Sequence, residues 1–338
     1  MPTPSAPASP ELSLAADLGG TSLVCGVVDA AGGVRARARR PSRATSSANA
    51  VVANLIAGLQ EVRSAAGLES PVGIGIGCPG IVYADRGIVH RAANLPALRD
   101  VPLAALVGEH FGAPTCVAHD VDMALLAEQR LGAGRGQRNI LCITVGTGIG
   151  LGLMIDGLPV TGANAGAGNL GHLVLDADTP PDECSGRGYL ESRASGPAVR
   201  DAGTEALRAD DSTCLRDLCG GDPERLDAAM VFAAARRGDE VSARIIARVA
   251  HLLGVAVANL VNLLDPEIVI VGGGLAQAGP ALFGPLTRTA RDYVCDLLRD
   301  RVHIVPAQLG DEAGLIGAGL AAWHAGPQST SPASATHS

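Results

Sequence analysis

Three glycine turns carry the first chemical signal. "DLGGT" sets Gly19, Gly20 and Thr21 behind one hydrophobic run, "TVGTG" sets Gly146, Thr147 and Gly148 behind a second, and "VGGG" sets Gly272, Gly273 and Gly274 behind a third. Glycine lets backbone N–H groups approach an anion with no side chain in the way, and such oriented groups bind phosphate. One turn of this kind is common in α/β proteins. Three in order, two of them carrying a threonine hydroxyl, point to a phosphate ligand. A second signal is "HLVLDADTPPDECSGRGYLE", His172 to Glu191, where His, Cys, Asp and Glu crowd together. Such density suggests a metal, yet a structural zinc needs four ligands, usually with cysteines in close pairs, and this stretch has one thiol.

Context removes one apparent match. "GIGCPG" at residues 75–80 fits Gly-x-Gly-x-x-Gly, but the dinucleotide fingerprint needs a helix directly after it. "IVYADRGIVHRA" follows and is not helical. The chain also contains no lysine; every basic side chain is arginine. A Walker-A loop, a Schiff-base enzyme and a protein-kinase ATP site each require that lysine and are excluded. The net charge of −8 argues against a nucleic-acid partner. The basic run from Arg35 to Arg43 reads as a solvated strand edge or loop rather than a phosphate patch.

The elements that must position these turns follow from length and pattern. A chain of 338 residues, 47% hydrophobic, suggests two domains that each bury a core. Aromatic residues make up only 2%, so the cores are aliphatic and a sugar would be held by hydrogen bonds rather than stacking. Eight cysteines without a C-x-x-C pair fit a reducing cytosol. No signal peptide and no long apolar span are visible, so a soluble, cytoplasmic protein without membrane contact is expected. Residues 1–10 and 326–338 read as low-complexity tails.

"LSLAADLGGTSLVCGVVDAAGGV" reads as strand, glycine turn, strand; "NAVVANLIAGLQEVRSAAG" as a helix; "PVGIGIGC" as a strand. The cycle reopens at "RNILCITVGTGIGLGLMIDGLPV", which suggests an internal duplication. A long apolar helix over 240–264 precedes strand "IVIVGGG", and "DEAGLIGAGLAAWHA" closes the chain as a helix. The expected class is α/β.

"DLGGT", "GIGCPGIV", "NLPALRDVPL", "HDVDMALLAEQRLGAGRG", "TVGTGIGLGLMIDG", "GAGNLGH" and "GRGYLE" stand in the order and spacing of the ROK family, bacterial sugar kinases and related repressors, and the chain resembles that family over about residues 12–325. The resemblance implies an actin-like ATPase, hexokinase-type (ribonuclease H-like) fold. It implies two α/β domains around a catalytic cleft, residues 11–121 plus 311–325 and residues 122–310, and a homo-oligomer, expected as a dimer. The repressors carry an additional N-terminal helix-turn-helix, for which the turn at Asp17 leaves no room.

The resemblance also implies roles. ATP would lie on Gly19, Gly20, Thr21, Gly146, Thr147 and Gly148, with Gly273 and Gly274 near the adenosine and Asp17 holding hydrated Mg²⁺. Asp120 falls on the catalytic Asp of an Asn-Asp-x-Asn-x-Ala pattern, where a carboxylate takes the proton of a primary alcohol as it attacks the γ-phosphate. Asp122 stands where the family has Asn and reads as a helix-start acid. The substrate pocket would use Gly80, Asn94, His119, Asp120, Asn169, His172 and Glu191. Two of these depart from the pattern: His119 replaces an Asn and Asn169 replaces a Glu. Both change donors and acceptors that would face ring hydroxyls, and a site built for one hydroxyl rejects an analogue lacking it. The expected substrate is therefore a glucose-like polyol with a changed hydroxyl, a C7-cyclitol of the valiolone or valienone type phosphorylated on its exocyclic CH₂OH. The alternatives are glucose, another hexose, or a non-enzymatic sugar sensor.

The family places a zinc on the His of "GH" and three cysteines of C-x-C-G-x-x-G-C-x-E. Here that pattern meets His172, Asp182, Cys184 and Tyr189. Only His172 and Cys184 remain as remnants, and no structural zinc is expected.

Overall fold

The structure is a computed structural model and describes residues 11–179, 188–209 and 212–323. Backbone contacts divide it into two compact units, one running to Ala127 and resuming at Glu312, the other spanning Glu128–Asp311.

The first unit is built from β1 (Leu12–Leu18), β2 (Ser22–Asp29), β3 (Val34–Pro41), α1 (Ala48–Ala65), β4 (Ile74–Cys78), β5 (Ile81–Tyr83), β6 (Ile88–Arg91), β7 (Arg99–Val101), α2 (Leu103–Phe111) and β8 (Thr115–His119). Helix α3 (Asp120–Leu131) starts directly after β8 and carries the chain out of the unit. The main sheet has the order β3-β2-β1-β4-β8. β1 and β4 are buried along most of their length because both sheet faces are covered, which is why they read as unbroken apolar runs. β3 is the edge strand and alternates half-buried with exposed residues. Its arginines meet acids: Arg35 with Asp29, Arg37 with Glu312 and Arg40 with Glu61. The basic run is thus a solvated edge strand, as its alternation implies. β5, β6 and β7 form a separate small sheet.

The second unit holds β9 (Ile140–Val145), β10 (Ile149–Ile155), β11 (Leu158–Pro159), α4 (Glu191–Ala194), α5 (Gly196–Arg208), α6 (Leu215–Leu218), α7 (Ala228–Arg236), α8 (Glu240–Leu264), β12 (Ile268–Gly272), α9 (Pro280–Tyr293) and β13 (Ile304–Pro306). Its sheet order is β11-β10-β9-β12-β13. Helix α8 is long and apolar enough to cross a membrane by composition alone. Val249, Leu253, Val257 and Val261, spaced by four, place one of its faces in the core of this unit. Asp239 caps α8, accepting from the Ser242 N–H at 2.8 Å and the Cys214 N–H at 2.8 Å, and these bonds lower its pKa to about 2 against the opposing effect of burial.

The chain closes with α10 (Ala313–Ala322), which packs on β1 and β4 in the first unit. Glycines in its contact strands allow a close approach: a Cβ on Gly75 would lie 1.8 Å from the Ala318 carbonyl. Glu312 directly precedes α10, but makes no capping bond and pairs instead with Arg37 at 3.2 Å. In the first unit the His90 Nδ1 lies 2.6 Å from Asp100 Oδ1.

Candidate active site

In the first unit the candidate residues gather at the C-terminal end of the main sheet. Asp17 is next to last in β1, paired with Val24 on one side and Gly77 of β4 on the other. The chain then reverses through Gly19, Gly20 and Thr21, with the Gly19 N–H donating to the Ser22 carbonyl at 2.9 Å. Ser42 Oγ donates to the Gly20 carbonyl at 2.7 Å and fixes the turn from outside. Asn94 packs directly on the same turn: a Cβ on Gly20 would lie 2.7 Å from the Asn94 Cβ. Gly80 has φ +90° and its missing Cβ faces the Arg91 carbonyl at 2.3 Å, so its role is to let the backbone turn between β4 and β5.

His119 ends β8 and Asp120 opens α3. The Val121 N–H donates to Asp120 Oδ1 at 2.8 Å, and His119 Nε2 lies 3.4 Å from the same oxygen. Asp17 and Asp120 repel each other. Burial first, and the Asp120 charge second, push the Asp17 carboxyl up to about 6. Asp122, in the first turn of α3, is likewise pushed up to about 6; burial dominates, His119 opposes and Asp120 adds to it. The first unit thus gathers three carboxylates and one imidazole where β8 passes into α3.

In the second unit Gly146, Thr147 and Gly148 join β9 to β10, and the Gly146 carbonyl accepts from the Gly196 N–H at the start of α5 at 2.8 Å. Gly273 has φ +82° and a Cβ there would lie 2.5 Å from the Val145 carbonyl, which seats the third glycine turn against the second. A cavity of about 410 Å³ is lined by Gly146, Thr147 and Gly274 together with Gly196, Pro197, Arg200, Asp227, Phe232, Leu275 and Gln277. It suits one small organic ligand beside an anion-binding turn. The sequence reading missed Pro197, Arg200, Asp227, Phe232 and Gln277. They lie on α5, at the cap of α7, within α7 and after β12, and no local motif joins them; only the Ser-Gly-Pro helix start before α5 marks the region.

The pocket residues of "GAGNLGH" and "GRGYLE" are held by backbone. Glu191 opens α4, and its Oε2 accepts from the Ile149 N–H at 2.7 Å, just after the second glycine turn. The Asn169 side chain donates to the Gly166 carbonyl at 2.9 Å. His172 is exposed, and its ring meets the Tyr189 ring edge-on, with centroids 5.1 Å apart and planes at 67°.

That contact bears on the zinc of the family pattern. Where the pattern needs a third thiolate, Tyr189 presents an aromatic ring to His172, and a bridge between Val174 and Tyr189 closes the loop. Among the described residues, no group of three or more His, Cys, Asp or Glu could hold a metal. Cys184 and Asp182 lie outside the described residues. By its chemistry, a tyrosine where the pattern has a cysteine thiolate is a poor ligand for structural zinc.

Residues 13–325 match the ROK family. The chain belongs to the ROK family. A glucokinase of Thermotoga maritima is 35% identical over 310 residues, 91% of this chain and 96% of the relative. A ROK family glucokinase from Streptomyces griseus, solved with glucose and AMPPNP, superposes with a TM-score of 0.84 at 30% identity, covering 93% of this chain and 99% of the other. A ROK transcriptional regulator, a homologue of the Escherichia coli protein Mlc, superposes with a TM-score of 0.83 at 27% identity, over 91% of this chain and 77% of its own. As a ROK kinase the chain has the actin-like ATPase, hexokinase-type fold and is a phosphotransferase acting on an alcohol group. It acts in sugar phosphorylation.

Proposed function

We propose that this ROK kinase transfers the γ-phosphoryl group of ATP to the primary hydroxyl of glucose. The observation that carries the reading is the seat of Asp120. Its Oδ1 is held by the Val121 N–H, while both partners found for the carboxylate fall on that oxygen, so Oδ2 serves as the proton acceptor. The glucokinase relatives support glucose over the C7-cyclitol that His119 and Asn169 suggest. Both changed side chains also have contacts within the protein, Asn169 with Gly166 and His119 beside Asp120, which a substrate would have to share.

In this reading Asp120 accepts the hydroxyl proton as the oxygen attacks phosphorus, and Asn94 and the Glu191 carboxylate bind ring hydroxyls. The glycine turns at 19–21 and 146–148 hold the phosphates by backbone N–H groups, and the cavity beside Gly274 takes the adenosine. Oxygen donors such as Asp17 fit Mg²⁺, which when held there through water would neutralise phosphate charge during transfer.

The cyclitol reading keeps a specific basis in His119 and Asn169, and one experiment separates the two. Purified protein with Mg-ATP is given glucose, fructose, N-acetylmannosamine and valienone, and kcat/KM is compared. Glucose is expected to lead by about tenfold or more, roughly 1.4 kcal/mol in transition-state binding. A higher value for valienone would reverse the assignment.

A further inference from the structure

We propose that His119 is a positioning residue for Asp120, steadying its Oδ1 and screening it from Asp122, rather than a ligand for a substrate hydroxyl. The inference rests on Asp120 being the acceptor base. Relative to the Asn-Asp-x-Asn pattern this chain carries two changes, and they sit on either side of that base. Asp122 adds a carboxylate two residues after it; His119 adds an imidazole one residue before it.

The added acid on its own would harm catalysis. Asp120 already faces Asp17 from β1 and the buried Cys78 thiol from β4. A third carboxylate, half-buried in the first turn of α3, crowds that base with a further like charge and a competing acceptor. The imidazole is the compensating group: its Nε2 is 3.4 Å from Asp120 Oδ1, where a ring N–H steadies that oxygen beside the added acid. Such contacts run long in unliganded enzymes and tighten when substrate binds. The side chain of His119 is 22% exposed, so the interaction is screened less than at an open surface.

The two changes should therefore depend on each other, and a double-mutant cycle reads that dependence. His119→Ala is expected to lower kcat by about 30-fold, with the sugar KM within about threefold of wild type, because misplacing a reacting group costs rate rather than binding. Adding Asp122→Asn to His119→Ala should restore kcat by about fivefold or more. His119→Gln, whose amide reaches as far as Nε2, should keep kcat within about threefold. A raised KM with unchanged kcat in His119→Ala, or no recovery from Asp122→Asn, would overturn the proposal. Retained circular dichroism and thermal unfolding separate these effects from misfolding. An arm without substrate is the ¹⁵N NMR signature of His119 at pH 8: the Nε2–H tautomer is expected, and the Nδ1–H tautomer would sink the idea even in a protein with no turnover. Wild type inactive on every sugar would instead strike the glucose reading.

Discussion

The two units repeat one strand order and end it with opposite chemistry. In each sheet a hairpin of three strands is followed by two parallel strands, β3-β2-β1-β4-β8 in one and β11-β10-β9-β12-β13 in the other. The registers match closely: the last parallel pair is Asp17 with Gly77 in the first sheet and Thr144 with Gly272 in the second. Where the first sheet presents Asp17, the second presents a neutral threonine. The fifth strand of the first leads into Asp120 and Asp122, while the fifth strand of the second ends at Pro306 with no acid before Asp311. A sheet end crowded with carboxylates suits proton transfer and cations, whereas a glycine turn next to a neutral threonine leaves backbone N–H groups unopposed by a strand-end acid. The frame fixes where chemistry can be placed, and a few residues at strand ends decide its sign.

The largest test of this contrast removes the charge at the end of β8. Asp120→Asn keeps the size and the Val121 hydrogen bond to an oxygen but cannot take a proton. Turnover is expected to fall by about 10³-fold, within the range for loss of a general base. Glucose binding, measured by calorimetry, should stay within a few-fold. Equal losses in turnover and binding would mean that Asp120 acts as a substrate ligand.

The frame was legible in the sequence because both hairpins show the same hydrophobic run, glycine turn and hydrophobic run, and because α8 announces itself by apolar spacing between Asp239 and Asp265. The expectation for Asp120 came from the family pattern; its place directly after β8, at the start of α3, was legible from the short apolar strand before it. The cavity beside Gly274 was not, since Arg200, Asp227 and Phe232 come from separate helices and meet only through tertiary packing. The engagement of His119 and Asn169 was also hidden: residue type shows what a side chain can bind, whereas its partner depends on the backbone around it. The same holds for Tyr189, whose edge contact with His172 has no signature in the spacing.

The glycine turns at 19–21 and 146–148 differ in how tightly they are packed, which gives a second test. A methyl on Gly20 would meet Asn94 Cβ at 2.7 Å, whereas a methyl on Gly146 has nothing within 4 Å. Gly20→Ala should cost on the order of 2 kcal/mol in stability and raise the sugar KM, since Asn94 must shift. Gly146→Ala should leave stability within about 0.5 kcal/mol, and any effect should fall on the ATP KM. Denaturant unfolding with steady-state kinetics reads both. Matching stability losses would show that the second turn is as constrained as the first.

The smallest expected effect tests whether the acidic end of the first sheet is held at a cost. Asp122 has its pKa raised from 3.8 to about 6, chiefly by burial. A carboxyl whose folded pKa is raised binds its proton more tightly when folded. Its contribution to stability is fully present below about pH 4 and is lost as pH rises through 6. Two units correspond to roughly 2.7 kcal/mol at most, and sharing of the charge among Asp122, Asp120 and His119 lowers this to on the order of 1–2 kcal/mol. Asp122→Asn removes the ionisation, so it should stabilise the protein by that amount at pH 8 and by almost nothing at pH 4, read as unfolding free energy across the range. Asp17→Asn should show the same sign, because burial raises that carboxyl as well. Glu191, which accepts from the Ile149 N–H beside the second glycine turn, supplies the control: an equal gain at pH 8 from Glu191→Gln would erase the electrostatic difference between the two ends.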